Sequence, residues 1–379
     1  MRKVLIPGLL AAFGLLHLTA CTEGDGPTGQ TGAAGTMGAA GIGTAGTTGA
    51  AGTGAAGTSG DTGVAGASGE AGTGAAGTGS AAGSNGGAAG TTGAAGTTGA
   101  AGTGANGGGK NYPTGMSSGC GKPSEDPTNA WVTHNVTVNV ASAYAGMYAS
   151  RKYFTRLPTG YQEDKAYPVI VWGQGCGATN VETTPVTNAD ASNYIQVFML
   201  QVGNCFNTGP ADSPDIDYFD LALKETQDNF CTDKGRVFMG GFSSGSWLTH
   251  MLGCHRANVI RGLGSASGGI GAKHHECTGP IAAILTADTT DTNNPIVATD
   301  TATGLPKGSA AARDRLLMEN GCSLTETQPW DPAFPVCVAY KNCNPLYPVV
   351  WCPTTGLGHS NGGMYSSKGF WKFWSSLTP

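Results

Sequence analysis

The stretch MGGFSSGSWLTHMLG, residues 239–253, contains the pattern Gly-x-Ser-x-Gly at residues 241–245. The apolar run RVFMG before the pattern predicts a buried strand, and SWLTHML after it predicts a helix. The two glycines allow a sharp strand-to-helix turn, because glycine adopts backbone conformations that other residues avoid. A serine at the tip of such a turn has its hydroxyl exposed at the edge of a sheet. The pattern therefore makes Ser243 a candidate nucleophile.

The same five-residue pattern occurs a second time, at residues 115–119, as Gly-Met-Ser-Ser-Gly. No apolar run precedes this copy, and the CGKP that follows it predicts no helix. We therefore expect no catalytic role for Ser117.

A nucleophilic serine needs a base to accept its proton and an acid to orient that base. In a strand–turn–helix site of this kind the chain order is serine, acid, histidine. His359 lies in the glycine-rich loop TTGLGHSNGG after the predicted strand YPVVWCPT, and it is the expected base. The acid is expected after the strand IAAILT, where Asp288 and Asp291 compete and local chemistry does not separate them.

The tetrahedral intermediate of acyl transfer also needs backbone N–H donors, which form an oxyanion hole. One donor is expected from Ser244, directly after the nucleophile. The other is expected from the loop GQGCG after the buried strand VIVW. Cys176 is the expected second donor, with Gly175 and Gly177 as alternatives.

Beyond about residue 120, apolar strands alternate with helical segments. The predicted strands are WVTHNVTVNV, YPVIVW, YIQVFMLQV, RVFMGGF, VIRGLGSASGG, IAAILTAD and YPVVWCPT, and the predicted helices are DYFDLALKETQDNF, SWLTHMLGCHR and GMYSSKGFWKFWSSL. This alternation predicts a mostly parallel central sheet covered by helices on both faces. We expect one three-layer α/β domain over residues 119–379, of the α/β-hydrolase type.

The preceding part of the chain has a different composition. Arg2 and Lys3 precede a short apolar run that ends in LTAC, which is typical of a lipoprotein signal peptide over residues 1–20 with Cys21 as the lipid anchor. The alternative is an ordinary secretory signal in which Cys21 is incidental. Residues 21–118 repeat Gly, Ala and Thr in units such as GAAGT, with too few apolar side chains for a core. We expect this segment to be a disordered tether.

The chain has 11 cysteines, of which ten follow Cys21. An even number of cysteines in an exported domain predicts up to five disulfides, and the absence of a C-x-x-C pair argues against zinc sites. We expect Cys231 to pair with Cys254, and the last four cysteines to pair in the C-terminal region.

The net charge of −5, without a Lys/Arg run, argues against nucleic-acid binding.

Four segments resemble the secreted esterases related to polyhydroxybutyrate depolymerases, feruloyl esterases and acetylxylan esterases. These segments are RLPTGYQEDKAYPVIVWGQGCG, RVFMGGFSSGSW, DTTDTNNP and YPVVWCPTTGLGH, and the resemblance covers roughly residues 140–379 in collinear order. In that family the acid lies in H-G-x-x-D-x-x-V-P, and the spacing to Pro295 selects Asp291 over Asp288. Two departures stand out: Gln174 replaces the histidine of L-H-G-C-G, and Ala287-Asp288 replaces His-Gly.

The resemblance implies a secreted serine esterase that works through an acyl-enzyme. The N-terminal signal, which looks like that of a bacterial lipoprotein, predicts a protein anchored to the cell envelope or surface, or extracellular. It implies no metal and no organic cofactor. The expected partner is an ester substrate, either feruloyl and acetyl esters on plant polysaccharide or, alternatively, a polyhydroxybutyrate polyester. We expect a monomer that touches a membrane only through its lipid anchor. A catalytically inactive surface-binding or adhesion protein with the same fold is the alternative from another class, since a long tether suits adhesion equally well.

Overall fold

The computed structural model describes residues 112–140, 144, 146–181, 193–209, 212–271, 274 and 277–378. The predicted signal peptide, Cys21 and most of the predicted tether lie outside the described residues. Among the residues described, no helix is long and apolar enough to cross a membrane.

The centre of the fold is a ten-stranded sheet with the order β1-β2-β4-β3-β5-β6-β7-β12-β11-β10. Its strands are β1 (Trp131–Thr137), β2 (Ser150–Arg156), β3 (Tyr167–Gly173), β4 (Ile195–Met199), β5 (Thr232–Phe242), β6 (Gly262–Ala266), β7 (Ala282–Asp288), β10 (Thr327–Pro329), β11 (Val338–Tyr340) and β12 (Val349–Thr354). The strands from β4 to β12 in this order run parallel, and the outer pairs on both sides are antiparallel. Strands β8 (Ala298–Thr299) and β9 (Pro306–Lys307) form a separate ribbon.

Helices cover both faces of the sheet. They are α1 (Pro214–Asn229), α2 (Ser244–His255), α3 (Ser309–Glu319) and α4 (Phe370–Ser376), the last preceded by a π-helical turn at Tyr365–Gly369. Alternate side chains of β3 belong to different cores, because successive residues of a strand point to opposite faces. Val169 and Val171 pack with residues of α1, α2 and α3, whereas Ile170 and Trp172 pack with residues of α4. The predicted three-layer α/β fold is therefore confirmed.

Five disulfides link the described residues. They are Cys120–Cys231, Cys176–Cys205, Cys254–Cys277, Cys322–Cys343 and Cys337–Cys352. The last four cysteines pair among themselves as predicted, but the predicted pair of Cys231 with Cys254 is wrong. The N-terminal segment lies beside the start of β5, where Cys120 reaches Cys231. Cys254, at the end of α2, is met by the chain that enters β7, where Thr278 N donates to its carbonyl at 2.8 Å.

The folded domain begins before residue 119, the start that the sequence predicted. Tyr112 is buried, and the Arg261 guanidinium lies 4.9 Å from the centre of its ring. The Ser117 hydroxyl donates to Phe230 O at 2.8 Å and accepts from Thr232 N at 2.9 Å. The second Gly-x-Ser-x-Gly copy is thus a turn that fastens the N-terminal segment to the domain.

Candidate active site

Ser243 lies between β5 and α2, at the carboxyl end of the parallel strands, with φ 54° and ψ −119°. A positive φ is strained for a residue with a side chain, so the surrounding structure must hold it. The flanking glycines make this possible. A Cβ on Gly241 would lie 2.1 Å from Gly245 O, and a Cβ on Gly245 would lie 1.9 Å from Gly173 O. Only glycine fits at both positions, which explains the pattern in the sequence.

The structure brings the predicted base and acid to this serine. His359 Nε2 lies 2.9 Å from Ser243 Oγ, and His359 Nδ1 lies 2.9 Å from Asp291 Oδ2. The Asp291 side chain is 1% exposed, whereas the His359 side chain is 17% exposed and faces the surface of the site. A neutral imidazole that donates its Nδ1–H to Asp291 has Nε2 available to accept the serine proton.

Asp291 is held by the loop that carries it. Its Oδ1 accepts from the backbone N–H groups of Asn293 at 2.9 Å and Asn294 at 2.8 Å, so Oδ2 is directed at the histidine. The loop is joined to the serine helix as well, because Trp247 Nε1 donates to Asn294 Oδ1 at 2.9 Å. The acid therefore has a fixed position relative to the nucleophile.

Asp288, the competing acid, has different partners. Its Oδ1 accepts from the backbone N–H and the hydroxyl of Thr290, and its Oδ2 accepts from Thr354 Oγ1 and Leu357 N. Burial alone would raise the pKa of Asp288, but these hydrogen bonds outweigh burial and hold the pKa well below its usual range. Asp288 is a structural anion within the loops, and the hydrogen bond to the histidine comes from Asp291.

The expected oxyanion donors lie on two loops that meet at the serine. Ser244 is the first residue of α2, so its N–H has no acceptor within the helix. Residues 174–177 pass directly beside the nucleophile, since a Cβ on Gly175 would lie 3.4 Å from Ser243 Cβ. The N–H of Gly177 donates to Asn204 O at 2.6 Å, which argues against Gly177 as a donor. Cys176 remains the predicted second donor.

Sequence reasoning missed two residues that support these loops. Gln201 Nε2 donates to Gly175 O at 3.0 Å, which fixes the loop beside the serine. Ser267 Oγ donates to the carbonyl of Ser360, the residue after the histidine, at 2.6 Å. Each is a buried polar residue just after a buried strand, β4 or β6, and that position at the carboxyl edge was the available signal.

Metal-ligating side chains are not clustered in the described part of the chain. No group of three or more His, Cys, Asp or Glu side chains there is arranged to hold a metal ion.

Known proteins with similar sequences include feruloyl esterases. No protein-family model matches the chain. Feruloyl esterase D of Neurospora crassa is 27% identical over 253 residues, which are 62% of this chain and 79% of the relative. Feruloyl esterase C of Emericella nidulans is 25% identical over 46% of this chain and 64% of the relative. Among solved structures, an acetyl xylan esterase from Aspergillus awamori has a TM-score of 0.44 and 10% identity, over 64% of this chain and 99% of that chain. The chain has an α/β-hydrolase fold, and these similar sequences indicate a carboxylic ester hydrolase.

Proposed function

We propose that this protein is an exported serine esterase that hydrolyses carboxylic esters on plant polysaccharide through an acyl-enzyme. The observation that carries the proposal is the pair of 2.9 Å hydrogen bonds that runs from Ser243 through His359 to Asp291. The similarity to enzymes named feruloyl esterase supports ester hydrolysis as the reaction.

In the proposed mechanism, His359 Nε2 takes the proton of Ser243 while Oγ attacks the ester carbonyl carbon. Asp291 holds the Nδ1–H and stabilises the imidazolium that forms. The N–H groups of Ser244 and Cys176 receive the oxyanion. The imidazolium then protonates the departing alcohol, which leaves an acyl group on Ser243. His359 next activates a water molecule, which attacks the acyl carbon and releases the acid.

The surroundings of Ser243 favour a feruloyl ester over a purely aliphatic one. Phe242 directly precedes the nucleophile and Trp247 follows it by one turn of α2, and both are partly exposed. The Phe242 ring lies with its centre 5.1 Å from that of His359. Such rings provide a flat apolar surface on which an aromatic acyl group can stack. We propose an acyl site between these two side chains.

A polyhydroxybutyrate polyester is the second candidate substrate. Leu357 and Met364, in the loop that carries His359, are 46% and 44% exposed. Exposed apolar side chains beside a site favour contact with a water-insoluble chain. Release of ferulate from methyl ferulate, compared with the clearing of a polyhydroxybutyrate suspension, separates the two candidates.

The decisive experiment compares Ser243→Ala with Ser117→Ala, since both serines lie in a Gly-x-Ser-x-Gly pattern. We expect Ser243→Ala to keep its thermal stability, to lose p-nitrophenyl acetate hydrolysis by at least about 10³-fold, and to resist labelling by a fluorophosphonate. Ser117→Ala should be less stable but should still hydrolyse the ester and be labelled. Activity retained in Ser243→Ala would refute the mechanism. A wild-type protein that neither hydrolyses nor reacts with the probe would favour the inactive binding protein.

Export and anchoring form a separate part of the proposal. Five disulfides are typical of proteins that fold outside the cytosol. We propose that Cys21 carries the lipid and that residues 22–111 tether the enzyme to the cell envelope. Cys21→Ser should move the protein from the membrane fraction to the medium and abolish labelling by radioactive palmitate.

A further inference from the structure

We propose that Asp288 is a positioning residue for ester hydrolysis: it joins the acid loop to the histidine loop and keeps His359 in line between Asp291 and Ser243. This inference rests on the proposed function. It gives a role to the aspartate that the catalytic mechanism leaves unused.

Asp288 stands at the point where the two loops leave the sheet. It is the last residue of β7, and it lies opposite Thr354, the last residue of β12. The acid loop follows Asp288 directly, and the histidine loop follows Thr354. A side chain here is able to reach both loops at their origin.

The carboxylate of Asp288 uses one oxygen for each loop. Oδ1 accepts from the N–H of Thr290 at 2.9 Å and from its hydroxyl, which fixes the turn that leads to Asp291. The backbone carbonyl of Asp288 adds a bond from Asp291 N at 3.1 Å. Oδ2 accepts from Thr354 Oγ1 at 2.8 Å and from Leu357 N at 3.0 Å, two residues before His359.

A carboxylate suits this position better than other side chains. Four donors converge on two oxygens, and hydrogen bonds to an ionised acceptor are about twice as strong as neutral ones. An asparagine would offer one acceptor oxygen and an NH₂ group that faces donors on its other side. Asp288 is 2% exposed, so water is excluded as a substitute. Glycine, which the resembled H-G-x-x-D pattern has here, makes none of these bonds.

The main test is Asp288→Asn, measured with p-nitrophenyl acetate. We expect kcat per active site, titrated with a fluorophosphonate, to fall about 10- to 100-fold, because misplacement of a catalytic group by about 1 Å costs rate on that scale. KM should change less than about threefold, since Asp288 does not touch substrate. A kcat within threefold of the wild type would overturn the proposal.

A pair of variants at Thr354 tests the same idea if Asp288→Asn does not fold. Thr354→Val removes one donor to Oδ2 at nearly constant volume, and kcat should fall about threefold to tenfold, the value of one hydrogen bond. Thr354→Ser keeps the hydroxyl and should restore kcat, even where its melting temperature is lower than that of the wild type. If kcat instead follows the melting temperature in both variants, Asp288 is only structural. Wild-type activity and labelling show separately whether the proposed function holds.

Discussion

Asp288 and Asp291 are three residues apart, and their partners assign them different roles. Asp291 gives one oxygen to its own loop and the other to His359 Nδ1. Asp288 gives all its bonds to backbone and threonine donors. In the proposed mechanism the first arrangement orients the base, and in the proposal for Asp288 the second holds the two loops in place. At the scale of single residues, Asp291→Asn should therefore lower kcat by a larger factor than Asp288→Asn does.

We expect Asp291→Asn to lower kcat for p-nitrophenyl acetate by about 10³- to 10⁴-fold. The asparagine oxygen keeps the bonds from Asn293 and Asn294, so its NH₂ faces His359. That donor favours the tautomer with hydrogen on Nε2, which is unable to accept the serine proton. Thermal unfolding should stay within about 3 °C of the wild type. A loss no larger than that of Asp288→Asn would contradict the assignment of the acid.

The sequence predicts the parts of this site that depend on local patterns. The parts that depend on contacts between distant residues are not predicted. Ser243 and His359 follow from local patterns, a strained turn and a glycine-rich loop after the last strand. The choice between Asp288 and Asp291 came only from a family resemblance, because both fit the same loop. The bond from Ser267 to Ser360 spans 93 positions, and such contacts depend on the folded chain.

At the scale of secondary-structure elements, one disulfide belongs to the site. Cys176–Cys205 joins the loop after β3 to the loop after β4. The β4 loop also supports the start of α2, because Phe206 N donates to Ser244 Oγ at 2.8 Å. Both expected oxyanion donors are thus attached to the same loop. Cys322–Cys343 closes a loop of similar length between α3 and the segment after β11.

Removing these two disulfides one at a time should separate stability from activity. The chain-entropy model gives about 3 kcal/mol of lost unfolding free energy for each double Ala variant, since their separations of 29 and 21 residues are similar. Only Cys176→Ala/Cys205→Ala should also lower kcat, by about tenfold, at a temperature where both variants are folded. Urea unfolding and p-nitrophenyl acetate assays measure the two quantities. Equal kcat in both variants would show that the loop after β3 keeps its position without the Cys176–Cys205 disulfide.

Two of the elements that sequence patterns missed, β2 and α3, each contain a buried arginine. β2 contains Arg151, which pairs with Asp215 at 2.6 Å while both side chains are fully buried. α3 contains Arg315, which is 3% exposed and donates to Cys277 Sγ at 2.7 Å. A buried charge interrupts the apolar alternation by which strands and helices are recognised. Asp215 lies 64 residues after Arg151 and Cys277 lies 38 residues before Arg315, so the sequence around each arginine does not show this contact.

At the scale of the whole molecule, buried basic groups make stability depend on pH. Burial and the nearby Arg315 lower the pKa of His250 to about 3. Burial, then Arg256 and Arg315, also lower the pKa of His255. Both histidines take up protons in the unfolded chain at a higher pH than in the folded one. The free energy of unfolding therefore falls as pH falls below about 6.5.

We expect His250→Gln to flatten this dependence between pH 7 and pH 5. In the wild type, His250 alone should remove about 2 kcal/mol of unfolding free energy over this interval, because its unfolded form gains a proton near pH 6.5 while its folded form stays neutral. Glutamine does not titrate, and its amide is able to replace the bond from Nε2 to Ser265 Oγ, 2.8 Å in length. Asp288 does not contribute to the change between pH 7 and pH 5. Its ionised form stabilises the fold, and this stabilisation is lost only as the pH falls below the pKa of an unfolded aspartate, about 4. Urea unfolding followed by tryptophan fluorescence at pH 7, 6 and 5 measures both proteins. Parallel pH dependences would show that His250 is protonated equally in the folded and unfolded states.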